Sequence, residues 1–184
     1  MADCRALVRI RALEQVHDGD IFALRFILWA LFSALIVVSF IDLRIREIPD
    51  EISLPGIPLG LALAALYPPL MGKIGNLSSF MDSLFGILAG GGSIYILGFI
   101  GGFIFKKEAM GGGDVKLMAM IGAFLGWKLT LVTFFLAPLF GSVVGIAARI
   151  RKGDEVIPYG PHLSLAAFVA ALYGEQILKK IFLI

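Results

Sequence analysis

The sequence predicts an all-α, polytopic membrane protein with about six transmembrane helices. Composition and the spacing of apolar runs carry that expectation. Of 184 residues, 59% are apolar and 16% charged, with mean hydropathy +0.92, whereas a soluble domain usually carries about 25% charge. Disorder is excluded as well, because it requires low hydrophobicity and high net charge, and the formal charge is only +2. A spanning helix takes about 20 residues, so six would occupy most of the chain and leave short loops. We expect a polar flank at residues 1–20 and a single membrane-embedded domain over residues 21–184.

The pI of 8.8 does not imply a nucleic-acid partner. Sixteen basic residues nearly balance fourteen acidic ones, and they sit in small groups between apolar runs, as loop anchors do. Cys4 stands alone, so this sequence offers no internal disulfide, no CxxC pair and no thiolate zinc site.

Ile21 to Ile41 forms the first span, broken only by Arg25, whose stem can snorkel to the interface. A cleaved signal would place its apolar stretch nearer Met1 and follow it with a small-residue site, so cleavage is not expected. Span two starts near Pro55 and Pro58, where a missing N–H costs least, and ends before Tyr67-Pro68-Pro69. Ser83 to Phe105 is the third, with Gly86/Gly90 and Gly98/Gly102 spaced as small-residue packing faces. Asp114 to Trp127 is a short fourth, and Leu129 to Ala148 a fifth. Ile157-Pro158-Tyr159-Gly160-Pro161-His162 is a turn signal before the sixth, whose end the pattern leaves open between Gly174 and Ile184.

With six spans, Arg44, Arg46, Lys106, Lys107, Arg149, Arg151 and Lys152 share one side, against Lys73 and Lys128 on the other. The positive-inside rule puts the first group in the cytoplasm. Arg5, Arg9, Arg11 and Arg25 oppose this, diluted by Asp3, Glu14, Asp18 and Asp20.

Carboxylates at membrane depth are expensive and are retained mainly where they have work or a partner. Asp42 ends the first span and Asp114 opens the fourth, both on the proposed cytoplasmic edge. Brought to about 3 Å, two carboxylates cannot both ionise and share one proton, which is the arrangement of aspartyl proteases. Such a pair needs no metal or other cofactor, and it titrates as a unit. Lys116 lies two positions from Asp114, off its helix face, and is not its expected ion partner. Gly111 and Gly113 bring backbone without Cβ atoms to the site, where a locally extended substrate strand could approach. The bland alternative is that Asp114 caps a helix and Asp42 pairs with Arg44 or Arg46.

The segment Asp42-Leu43-Arg44-Ile45-Arg46-Glu47-Ile48-Pro49-Asp50 resembles the first signature of type IV prepilin leader peptidases. Gly111-Gly112-Gly113-Asp114-Val115-Lys116-Leu117 resembles the second, the GxGD motif with its following lysine, and Pro158-Tyr159-Gly160-Pro161 resembles the segment before the last span. Three ordered motifs are far more specific than GxGD alone. The resemblance implies an aspartyl endopeptidase of the cytoplasmic membrane, with Asp42 and Asp114 as its catalytic pair and no cofactor. It would remove the short basic leader of prepilins or pseudopilins just before the substrate's apolar helix. Its partners would be that helix and membrane lipids, with no nucleic acid. Larger family members add a cytoplasmic region with paired cysteines and methylate the new N-terminus. Lacking CxxC, this sequence is expected to act as a peptidase without methyltransferase activity.

An acidic entrance would suit a basic leader, and Glu47, Asp50, Glu51 and Glu108 lie in the loops that hold the pair. Alternatively they offset Arg44, Arg46, Lys106 and Lys107, at little energetic value. His162, with only His17 for company, reads as an interfacial helix-start residue rather than a metal ligand. Trp29 and Trp127 read as belt residues. A transporter or assembly subunit that binds or relays protons through Asp42 and Asp114 is the competing function. Presenilin-like GxGD proteases are a third reading, but their PAL motif is absent. Neither alternative accounts for Ile48-Pro49-Asp50 or Pro158 to Pro161.

Overall fold

A computed structural model describes residues 18–105, 111–152 and 158–182. Five helices follow in order: α1 (Asp18–Ile45), α2 (Asp50–Leu66), α3 (Asn76–Phe105), α4 (Gly112–Lys152) and α5 (Gly160–Phe182), with a single 3-10 turn at Pro68–Met71. No strand occurs among the described residues. Residues 1–17 of the expected flank at 1–20, with Cys4 and His17, lie outside them, and residues 18–20 begin α1.

Five helices accommodate six expected spans because α4 contains two of them. Gly126 has φ 73° and ψ 168°, a conformation essentially restricted to glycine. The arms on either side, 112–125 and 127–152, fold back on one another. Gly86 and Gly90 are one turn apart on α3, and over that turn the facing α4 residues change from Gly122 and Gly126 to Met118 and Thr130. Both arms therefore lie against α3 while running in opposite directions. Thr130 steadies the bend by donating its hydroxyl to the Gly126 carbonyl at 2.7 Å.

The first arm of α4 is the centre of the bundle. Every residue from Leu117 to Gly126 is buried, as expected for a helix that is apolar on all sides. Around it pack Leu31, Leu35 and Val38 of α1, Ile94 of α3, and Leu163, Ala166 and Ala167 of α5. Large apolar residues on the outer faces, including Phe22, Phe26 and Trp29 of α1 and Tyr95, Phe99 and Phe103 of α3, are exposed, as a lipid-facing surface requires. Phe22–Ile45, Asn76–Phe103 and Gly112–Ile146 are long and apolar enough to cross a membrane, the last being the hairpin.

Lipid tails give helices no hydrophobic reason to associate, so close backbone contact between small residues does the work. A Cβ on Gly86 would collide with the Gly122 carbonyl, and one on Gly122 with the Gly86 carbonyl. Ser83 adds a hydrogen bond across the same seam, to the Ala123 carbonyl at 2.7 Å. The seam is the expected glycine face, extended to a pair of helices that the spacing alone did not name.

Two boundaries differ from expectation. The second helix starts at Asp50, ahead of Pro55 and Pro58, which lie inside it. Asp50 and Glu51 occupy its first turn, where acidic side chains complement the helix dipole, and Pro49 in extended conformation (φ −66°, ψ 127°) leads into it. The third helix begins at Asn76, where Asn76 Nδ2 donates to the Ala65 carbonyl at 2.8 Å and ties it to the end of α2. The last helix continues to Phe182.

Replacing Gly126 by Ala should lower stability by about 1–3 kcal/mol, because a Cβ there imposes backbone strain and also meets Met71 Sδ at 3.0 Å. Thermal unfolding in detergent checks this, with a lower midpoint expected for Gly126→Ala and an unchanged one for Gly72→Asn, a left-handed site in open space.

Candidate active site

The site is built where α1 ends, α4 begins and α5 begins. Asp42 sits in the last turn of α1, 5% exposed. The helix ends three residues later, at Ile45, because Arg46 takes a left-handed conformation (φ 57°), with its N–H bonded to the Asp42 carbonyl at 2.9 Å. This is a helix-ending geometry usually given to glycine. The Asp42 carboxylate accepts the backbone N–H of Gly160 at 2.8 Å. Gly160 is the first residue of α5, so the acceptor faces the positive end of a helix dipole. Any Cβ on Gly160 would stand 2.6 Å from Asp42 Oδ2, which leaves glycine as the residue that permits the contact.

Asp114 lies in the first turn of α4, with its N–H directed at the Gly111 carbonyl at 3.2 Å. Its carboxylate and that of Asp42 are close enough for the charge of one to act on the other. The structure thus brings the two acids to one place. Three glycines precede Asp114, and their surroundings differ. A Cβ on Gly113 would stand 2.8 Å from the Ile48 Cβ, one on Gly111 would touch Asp114 Oδ2 at 3.5 Å, and one on Gly112 would meet nothing. Gly113 therefore lets the α1–α2 loop lie down on the start of α4.

Lys116 fastens that loop a second time. Its Nζ reaches both carboxylate oxygens of Asp50, at 2.8 and 2.6 Å. It is not the partner of Asp114, as its spacing indicated. Both side chains are part-exposed, so the pair contributes at most about 1 kcal/mol and matters chiefly as a fastening. Asp50, expected at the leader entrance, is occupied by this lysine. Glu47 on that loop and Glu51 in the first turn of α2 are both exposed. Glu108, with Lys106 and Lys107, lies outside the described residues.

Tyr159 and Gly160 are the site residues that sequence reasoning did not single out. Their only signal was their place between Pro158 and Pro161. Burial, and after it the Asp114 charge, push the Tyr159 hydroxyl up to about 12, so it keeps its proton at physiological pH. The Tyr159 carbonyl accepts the N–H groups of His162 and Leu163, each at 3.1 Å, and so caps the start of α5. His162 is a helix-start residue, as expected, and it is buried, with Nδ1 3.0 Å from the Pro158 carbonyl. Trp29 and Trp127 are exposed, away from the carboxylates.

Residues 29–146 match the type IV leader peptidase family. The chain belongs to that family. The type IV leader peptidase match takes in both aspartates and the first two motifs. Relatives include the prepilin leader peptidase/N-methyltransferases of Pseudomonas aeruginosa, 34% identical over 148 residues, and Aeromonas hydrophila, 32% identical over 148 residues; each alignment covers 79% of this chain and 48% of the relative. That of Myxococcus xanthus is 37% identical over 123 residues, 67% of this chain and 34% of the relative. The chain spans about half the length or less of these curated relatives. No solved structure matches it. Family membership and the apolar helices together make it a membrane protein.

Replacing Gly160 by Ala should displace the Asp42 carboxylate by a fraction of an ångström to an ångström, and misplacement on that scale costs a catalyst about 100-fold. Assays of the leader cleavage proposed below should show this loss in turnover for the Gly160→Ala protein, with helical content unchanged by circular dichroism.

Proposed function

We propose that this chain is an intramembrane aspartyl endopeptidase that removes the short basic leader of type IV prepilins or pseudopilins, with Asp42 and Asp114 as its catalytic pair. One observation carries the reading. Three motifs far apart in the sequence converge on two carboxylates: Asp42 from the first, Asp114 from the second, and the Gly160 N–H that holds Asp42 from the third. Helix capping alone would not require the first and third motifs to meet, and proton relay would not require the Ile48 loop to be fastened over the glycines.

The reaction follows from the pair. One carboxylate takes a proton from water as the water oxygen bonds to the peptide carbon, and the protonated partner hydrogen-bonds the carbonyl oxygen. The C–N bond then breaks and the leaving nitrogen receives the proton. The two acids act as a unit, so roles belong to the pair.

Glu47 and Glu51 are the proposed contacts for the basic leader, being exposed on the segment that follows Asp42. Asp50 serves the leader indirectly, by fixing that loop through Lys116. We place the site at the cytoplasmic face of the inner membrane, on the side of Arg44, Arg46, the basic residues at 106–107 and the basic end of α4 at 149–152. Peptidase activity without methyl transfer is proposed for these residues, whose single cysteine cannot form a CxxC pair.

Asp42→Asn and Asp114→Asn should each reduce leader removal at least about a thousandfold while the protein still inserts and extracts as a folded species. Purified protein in detergent, given a candidate prepilin, measures this by the shift of the cleaved band. Cleavage that survives both substitutions would overturn the pair, and proton-coupled transport without cleavage would favour the competing function.

A further inference from the structure

Catalysis by two carboxylates leaves one demand partly met. When water adds to the scissile carbonyl, negative charge develops on its oxygen, and donors aimed at that oxygen before the reaction starts supply a large share of rate enhancement. The protonated carboxyl offers one such donor. Tyr159 is placed to offer another.

Four observations fix it there. Tyr159 directly precedes Gly160, whose N–H is bonded to Asp42 Oδ2 at 2.8 Å. Its ring packs against the core and lies 3.8 Å from the place a Cβ would take on Gly141, in the second arm of α4. The Pro158 carbonyl on one side is held by His162 Nδ1 at 3.0 Å, and its own carbonyl by the start of α5. Its hydroxyl feels the Asp114 charge. The ring is therefore anchored on a stiff, half-buried segment next to the residue that holds Asp42, with its hydroxyl within reach of the Asp114 charge.

We propose that the Tyr159 hydroxyl donates a hydrogen bond to the scissile carbonyl oxygen and to the oxyanion formed from it. This deepens the endopeptidase reading and rests on it. In the step concerned, the water oxygen forms a bond to the carbonyl carbon, one water proton passes to the ionised carboxylate, and the carbonyl π pair moves onto oxygen. Tyr159 stabilises that oxygen without giving up its proton. When the carbonyl reforms, the C–N pair leaves with nitrogen, which takes its proton from the carboxyl pair. The phenol keeps its proton, as a hydrogen-bond donor must, and is therefore not the base.

The test uses the full chain in detergent with a prepilin substrate. Tyr159→Phe keeps the ring and its packing, so lost packing is not a confounding effect. The expected result is a fall in kcat of about a hundredfold with KM within threefold. A peptide carrying a hydroxyl-bearing tetrahedral carbon at the scissile position should lose affinity by a similar factor. A kcat within twofold of the parent, or a raised KM with unchanged kcat, would overturn the proposal. Asp42→Asn in the same assay separates the two claims. If Asp42→Asn is inactive and Tyr159→Phe is not, the endopeptidase reading stands and only the tyrosine's role fails.

Discussion

The architecture depends on one close approach, backbone against backbone, between α3 and the first arm of α4. Gly86 and Gly122 leave no room for a methyl group between them, and in a bilayer such contact replaces the hydrophobic drive that pairs helices in water. Because that arm is packed on every side, it is a centre post rather than a wall. It also explains why a stretch barely long enough to span can remain at membrane depth, since its polar backbone is satisfied within the helix and its side chains meet protein instead of lipid. The Gly126 reversal lets the same chain supply the post and one of the helices beside it.

From the post, the site follows by geometry. The reversal, Met71 and Asp82 meet at one end of the bundle, so the first turn of α4 must lie at the other, and Asp114 with it. The α1 helix reaches that end through its packing on α5, where Phe32 meets Phe168 edge-on at 4.9 Å and Ser164 reaches the Leu35 carbonyl at 3.3 Å. Asp42 is then anchored on α5 itself, through Gly160. The two acids belong to helices whose positions are set by different neighbours. The Lys116–Asp50 pair and the Gly113–Ile48 contact are what tie the loop after Asp42 to the helix of Asp114.

Much of this was legible in the sequence. Apolar runs located every helix, and the two aspartates stood out because a charge at the end of such a run needs a reason. The spacing also kept Lys116 away from Asp114 correctly. What spacing cannot give is partnership across the bundle. Asp50 seemed free to meet a leader because its lysine is distant in sequence, and the prolines inside α2 suggested a later start because the acidic first turn ahead of them was read as loop. The fourth and fifth spans were legible as two helices, but the residue that reverses the chain between them was not, since Gly126 looks like any small packing residue until its φ is known. Gly160 was visible as a turn glycine, but its role toward Asp42 exists only in three dimensions.

The glycines before Asp114 show how a motif's spacing follows from what surrounds each position. Were all three present for flexibility, their neighbourhoods would be alike, and they are not. Gly113 is filled by Ile48, so a side chain there would lift the α1–α2 loop away from α4 and loosen the connection between the two acids. Gly111 lies against the Asp114 carboxylate, where a side chain would cover the oxygen and reduce its access to water. Gly112 faces open space, so any small residue fits between them as far as packing is concerned. Packing thus requires glycine at Gly113, while at Gly111 a methyl group fits and only a larger side chain would crowd the acid. The two positions protect different things, Gly113 the fastening of the loop and Gly111 the exposure of the acid.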